Sequence, residues 1–231
     1  MKWGVVIFPG SNCDHDLIRV LKNTGSGDVV ELWHKDKDLH ECTHIFLPGG
    51  FSYGDYLRSG SIAKLSPIME SIRTHAENGG FVMGICNGFQ ILCESGLLPG
   101  ALMHNTSMKF ICKNVHLKPI SKKAAASKNV ANVIQIPIAH GEGRFYCSAA
   151  ELEKIEANQQ VIFKYSTETG EINNKSNPNG SLNNIAGVCN EGFNVFGMMP
   201  HPERAAEDFL LNQEGLEIIH SIIREANLAL A

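Results

Sequence analysis

Three short strings contain residue types that could do chemistry together. In "FVMGICNGFQIL" (81–92), Cys86 stands between Gly84 and Gly88, where an apolar strand-like run meets a stretch with helical spacing. A strand, a G-x-nucleophile-x-G turn and a helix form a nucleophile elbow: the glycines permit close packing and the central side chain is exposed at the carboxyl edge of a sheet. A thiol placed there lies near the start of the following helix, whose dipole and free N–H groups favour the thiolate. A small core hydrophobe in a Gly-rich turn would account for the pentapeptide equally well, so this string alone divides evenly between catalysis and packing.

A thiol nucleophile needs a base, and a base works best when a third group orients it. "MMPHPER" (198–204) supplies both, because His201 and Glu203 project from one side of an extended segment stiffened by Pro200 and Pro202. Taken alone, this string would be a surface loop with an exposed ion pair. The third string, "LPGGFSYGDYLRSG" (47–60), reads as a strand ending in Pro48-Gly49-Gly50, where glycines let a backbone N–H point into a site. The amides of Gly50 and Asn87 would then form an oxyanion hole, worth about 3–4 kcal/mol per donor. "AHGEGRFY" (139–146) places His140 and Glu142 in either a functional lip or a plain turn. Cys13-Asp14-His15-Asp16 and Cys42-Thr43-His44 look like fragments of metal sites but lack a second ligand pair at zinc-like spacing, so cap and loop roles and no metal are expected.

Elements that could position these residues alternate along the first half. Strands are expected at 4–8, 29–33, 44–47 and 81–85, and helices at 14–23, 62–77 and 87–95. That alternation implies an α/β fold with a mostly parallel, doubly wound sheet, helices on both faces, and the glycine-rich loops together at one rim. After Pro99 the pattern changes to strands at 108–120, 133–148 and from 162, a hairpin over 185–199 turned at 190–192, and a helix over 212–230. This half adds a small antiparallel section. The stretches 120–132 and 148–160 show least pattern and are expected at the surface.

A length of 231 residues suits one large domain, 1–231, and 43% hydrophobic with 19% charged residues suits a folded globular chain. A net charge of −4 gives no basic field for nucleic acid. Seven cysteines with no C-x-x-C pair fit a reducing cytoplasm, and no apolar run approaches the ~20 residues of a membrane span. There is no G-x-x-x-x-G-K-[ST] nucleotide loop.

With Cys86, the 48–50 loop and His201/Glu203 in this order, the chain resembles the class I (triad) glutamine amidotransferase family, whose fold is flavodoxin-like. The strings "FPGSNCD" (8–14), "LPGGFSYGDYLRSG", "GICNGFQIL" (84–92), "GLLPGAL" (96–102), "AHGEGRF" (139–145), "NPNGS" (177–181) and "MMPHPER" are similar to one branch of it. That branch comprises the glutaminase subunits of the synthase that makes formylglycinamidine ribonucleotide in purine (IMP) biosynthesis. The resemblance implies a single type 1 amidotransferase domain that hydrolyses glutamine through a Cys86 thioester. It also implies that ammonia passes to a large synthetase subunit, which uses ATP and Mg²⁺, while this chain holds no cofactor; whether a small third subunit is required stays open. By the same resemblance Gln90 helps hold the substrate, Asn105 and Ser107 line its pocket, and His140 with Glu142 form a lip toward the partner. Two other readings remain at this point: a glutaminase serving a different synthase, and a redox-sensing elbow-cysteine protein, which would need no oriented base.

Overall fold

In a computed structural model, which describes residues 1–230, the elements run β1 (Lys2–Ile7), α1 (Asp14–Asn23), β2 (Asp28–Trp33), β3 (His44–Leu47), α2 (Ile68–Glu77), β4 (Phe81–Ile85), α3 (Asn87–Glu94), β5 (Ala101–Met103), β6 (Ile111–Pro119), β7 (Ile134–His140), β8 (Arg144–Tyr146), α4 (Ala149–Ala157), β9 (Val161–Ser166), β10 (Ile185–Cys189), β11 (Val195–Met198) and α5 (Gly215–Leu230). Nine strands form one sheet in the order β2-β1-β3-β4-β11-β10-β9-β6-β7. The pairs from β2 through β11 are parallel, and the pairs beyond β11 are antiparallel. The expected antiparallel section therefore continues the parallel sheet, while β5 and β8 form a separate two-stranded ribbon.

The parallel strands β1, β3, β4 and β11 are short, mostly buried apolar runs, as expected for strands covered on both faces, whereas the edge strand β2 is largely exposed. Trp3, Phe46, Phe81 and Phe196 place rings on neighbouring strands with centroids 5.8, 5.8 and 5.1 Å apart, which ties β1, β3, β4 and β11 together. The registers Leu47↔Gly84 and Ile85↔Met198 bring the carboxyl ends of β3, β4 and β11 side by side. Each of the three strings singled out above leaves one of these strand ends.

Several expectations need correction. The helix expected over 62–77 is a 3₁₀ turn at Ala63–Leu65 followed by α2, because Ser66, ahead of Pro67, takes an extended ψ of 142°. A proline pushes the preceding residue out of the helical region. The strand expected over 133–148 is β7 and β8, separated by the turn at 141–143. Of the two unpatterned stretches, 148–160 lies at the surface as expected, with Ile155 the one buried residue of its helix, but 120–132 does not. Ala124, Ala126, Ser127 and Val130 are fully buried, and 148–160 contains α4, whose start is capped by the Ser148 hydroxyl accepting from the Glu151 N–H. The C-terminal helix starts at Gly215, three residues later than expected. Among the described residues, no helix is long and apolar enough to cross a membrane.

Candidate active site

Cys86 sits between β4 and α3 with φ +50° and ψ −105°, a conformation that side-chain-bearing residues rarely adopt. Its N–H donates to the Met198 carbonyl at 2.8 Å and its carbonyl accepts from the Gln90 N–H at 3.1 Å, so both neighbouring elements fix the strained residue. The glycines on either side are required by contact. A Cβ on Gly88 would lie 1.9 Å from the Leu47 carbonyl oxygen, and one on Gly84 would lie 2.5 Å from the Gly88 backbone. This is the strained, tightly packed turn of a nucleophile elbow.

His201 follows β11 and is held by its N–H donating to the Pro137 carbonyl at 2.9 Å. The segment is not extended as expected: Pro202–Arg204 form a single 3₁₀ turn with proline at its first position. That turn brings Glu203 Oε1 to 2.6 Å from His201 Nδ1, with both side chains almost completely buried. The carboxylate fixes the tautomer, and Nε2 has no hydrogen-bond partner among the described residues. Burial acts to lower the His201 pKa, but the charge of Glu203, then that of Cys86, and the closeness of the Cys13 and Cys86 sulfurs hold it well above its ordinary value. A protonated imidazole beside Cys86 is thereby favoured.

The loop after β3 completes the floor of the site. Gly50 has φ +144°, and a Cβ there would lie 2.7 Å from the Asn12 nitrogen and the Ser11 Cα. Asn12 N–H donates to the Gly49 carbonyl and Phe51 N–H to the Gly10 carbonyl, so the bridge between the two loops leaves the Gly50 N–H unused. The Asn87 N–H, at the first position of α3, likewise has no partner within its helix. Both amides are available for a developing oxyanion.

A cavity of about 230 Å³ opens over these groups, with Gly50, Cys86, Gln90, His140 and Glu142 in its wall. Of the seven cysteines, Cys86 is the one that reaches it. A wider depression of about 770 Å³ lies elsewhere, bordered by Cys93 and Cys147, but burial raises both of those thiols, Cys147 to about 11. It contains no activated nucleophile.

The remaining expected site residues have other placements. Gln90 borders the cavity, but its side chain is engaged within the protein, donating from Nε2 to the Glu142 carbonyl at 2.7 Å and accepting from Asn87 Nδ2 at 2.9 Å. Asn105 lies behind the wall, fully buried, where its Oδ1 accepts from the Gly143 N–H and faces His140 Nδ1 at 3.1 Å. Ser107 is exposed on the adjoining turn and does not line the cavity. His140 is not a lip residue either: it is buried, and desolvation followed by the nearby His201 lowers its pKa to about 4, so it is neutral. Glu142 does lie on the rim, where Oε1 is 3.4 Å from His104 Nε2.

Cys13 stands at the N-cap position of α1, but its side chain makes no capping hydrogen bond, and its sulfur lies within 4.8 Å of ligand-type atoms of both His201 and Glu203. Burial raises its pKa, so it packs against the imidazole as a neutral thiol. The string "FPGSNCD" contains it, but spacing along the chain does not show that it meets His201.

A strained elbow thiol, a buried carboxylate-oriented imidazole and two free amides at neighbouring ends of a parallel sheet form an acyl-transfer site, and comparison with known proteins gives the same class. The chain belongs to the family of CobB/CobQ-like glutamine amidotransferase domains, whose model matches residues 1–217. Within that family it falls with the PurQ subunits of phosphoribosylformylglycinamidine synthase. It is 52% identical to that of Koribacter versatilis over 225 residues, 96% of this chain and 97% of the relative. It is 48% identical to that of Aquifex aeolicus over 227 residues, 97% and 100% of the two chains. Among solved structures it is similar to PurLQS from Thermotoga maritima, with a TM-score of 0.84 and 41% identity over 97% of this chain and 98% of that one. Another glutamine amidotransferase from Thermotoga maritima, at 15% identity and TM-score 0.53 over 99% of this chain and 92% of that one, shares the fold.

Proposed function

We propose that this chain is the glutaminase subunit of a phosphoribosylformylglycinamidine synthase, releasing ammonia from glutamine for a separate synthetase subunit. The observation that carries the chemistry is the junction of the strained Cys86 elbow with the His201–Glu203 pair at adjacent strand ends. The pathway rests on full-length similarity to PurQ subunits.

The Cys86 thiolate attacks the side-chain amide carbon of glutamine, and the N–H groups of Gly50 and Asn87 receive the oxyanion. Protonated His201 gives its proton to the departing nitrogen, so ammonia leaves and a γ-glutamyl thioester remains on Cys86. The now neutral imidazole takes a proton from water as that water attacks the thioester. Collapse of the second tetrahedral intermediate releases glutamate and restores the thiolate–imidazolium pair. The Glu203 carboxylate holds the ring throughout.

Ammonia is useful only where an acceptor awaits it, so the chain works in a complex. A large synthetase subunit would use ATP and Mg²⁺, and the three-letter PurLQS designation of the Thermotoga structure also supports a small third subunit. The exposed rings of Phe51 and Phe110, 6.4 Å apart at the cavity mouth, and exposed Leu57 beside His104 and Glu142 suit a docking face there. All seven cysteines are free, which suits the cytoplasm.

The test is reconstitution with the synthetase partner, assaying amidine formation from glutamine and from ammonia. Cys86→Ala is expected to abolish the first and spare the second. Loss of both in an intact complex, or amination of a different acceptor only, would overturn this reading.

A further inference from the structure

The mechanism uses the amide end of glutamine and leaves its amino-acid end unassigned. We propose that Asp55 binds the α-ammonium group of glutamine and so makes the site specific for an α-amino acid amide. This rests on the glutaminase reading above.

Asp55 lies in the most strained loop bordering the cavity. Tyr53, Gly54 and Asp55 have successive φ values of +55°, +71° and +49°, a left-handed run that is unfavourable for residues with side chains. The loop is clamped in this form, with the Tyr53 hydroxyl 2.7 Å from His34 Nδ1 and 2.9 Å from Ser66 Oγ. The conformation directs Asp55 into the wall of the cavity that contains Cys86. Its Oδ1 accepts from Asn87 Nδ2 at 3.4 Å, and Asn87 Oδ1 in turn accepts from the Ser52 N–H at 3.2 Å. One side chain thus links the carboxylate to the residue next to the nucleophile.

Charge balance points the same way. The charged side chains lining the cavity are Asp55 and Glu142, with His104 beside them and no lysine or arginine. Glu142 has His104 as a partner, whereas Asp55 forms no ion pair among the described residues. Burial, followed by the charge of Glu142, raises the Asp55 pKa against hydrogen bonds from Ser59, Asn87 and Gly60. An arriving ammonium would supply the missing counter-charge and satisfy its own need for an acceptor in a half-closed site. The α-carboxylate end is not what this residue reads.

The experiment compares glutamine with glutaramate, which is glutamine without its α-amino group, as substrates of the chain assembled with its synthetase partner. Wild type should favour glutamine by about 100-fold in kcat/KM, the size expected when a buried charged group loses its hydrogen-bond partner. Asp55→Asn should lower kcat/KM for glutamine about 10- to 100-fold, chiefly through KM, and leave glutaramate nearly unchanged, so that the preference collapses. Glu142→Gln should keep the preference, and ammonia-dependent synthesis should persist in every variant, which reports that the complex has assembled. A preference that survives Asp55→Asn, or that collapses in Glu142→Gln instead, overturns the inference while the glutaminase reading stands. The wild-type measurement decides by itself if the variant fails to assemble: use of glutaramate as readily as glutamine overturns the inference. Failure of the wild-type complex to hydrolyse glutamine at all would overturn both.

Discussion

Cys86 and His201 occupy the ends of neighbouring strands, β4 and β11, but the Cys86 side is built from backbone conformation and the His201 side from side-chain contacts. Around Cys86 a positive φ, two glycines without room for a methyl group and a helix start dictate the geometry. Around His201 a 2.6 Å bond to Glu203, a neighbouring thiol and burial dictate protonation. Backbone-built geometry should fail abruptly when altered, because a carbonyl cannot be displaced cheaply. Side-chain-built electrostatics should instead shift by degrees.

The largest effect expected is that of Cys86→Ala, at least about 10⁴-fold in glutamine-dependent turnover, the loss seen when a covalent nucleophile is removed. Labelling with a glutamine-derived electrophile should mark Cys86 alone; a label on Cys13 would blur the contrast between the two sides. Next comes Gly88→Ala, which should destabilise the fold by about 3 kcal/mol or more, because its Cβ would meet backbone at 1.9 Å. The shift in denaturant midpoint measures it, and a stable, active variant would refute the claim that this side is rigid.

On the other side, Glu203→Gln should reduce turnover by about 10²- to 10⁴-fold and also move the pH profile. Glu203 acts to hold the His201 pKa up against burial, so its loss should shift the alkaline limb of activity to lower pH. The stability that accompanies this raised pKa is fully present below the ordinary histidine value and is lost as pH rises through the raised one, so the variant's stability deficit should be largest in acid. A profile that keeps its alkaline limb would break the assignment. Cys13→Ala should cost less than about 10-fold in turnover, since Cys13 supports the raised His201 pKa less than Glu203 and Cys86 do.

The smallest effect concerns stability alone. His44 and His140 have pKa values lowered to about 4, chiefly by burial, so both favour the folded state while neutral. Their contribution is complete above the ordinary value near 6.5 and is lost as pH falls toward 4. Thermal unfolding should track this fall, and His44→Phe, between the Trp3 and Phe81 rings, should blunt it.

Residue order along the chain carries the backbone-built side well. The glycine bracket of Cys86 and the strand that feeds it can be read directly, because both are local. His201 and Glu203 are legible too, but they meet for a different reason from the one their spacing suggests: a 3₁₀ turn, not an extended strand, joins them. What cannot be read depends on contacts between distant segments. Cys13 reaches His201 across nearly the whole sequence, Asn105 supports His140 from behind, and Gln90 is engaged by the Glu142 carbonyl. Two further features are local and legible in principle. Ser148 with Glu151 is a helix-start signal, and Pro67 marks where the preceding turn must break.

Because β4 and β11 are hydrogen-bonded in parallel, with Ile85 opposite Met198, the backbones that carry Cys86 and His201 leave the sheet one interstrand step of about 4.8 Å apart. A step of that kind does not flex without tearing the sheet. The strap at 51–60, which leaves the sheet at β3, is held instead by the Tyr53 hydroxyl on His34 and Ser66, so its hold can be altered without touching that step.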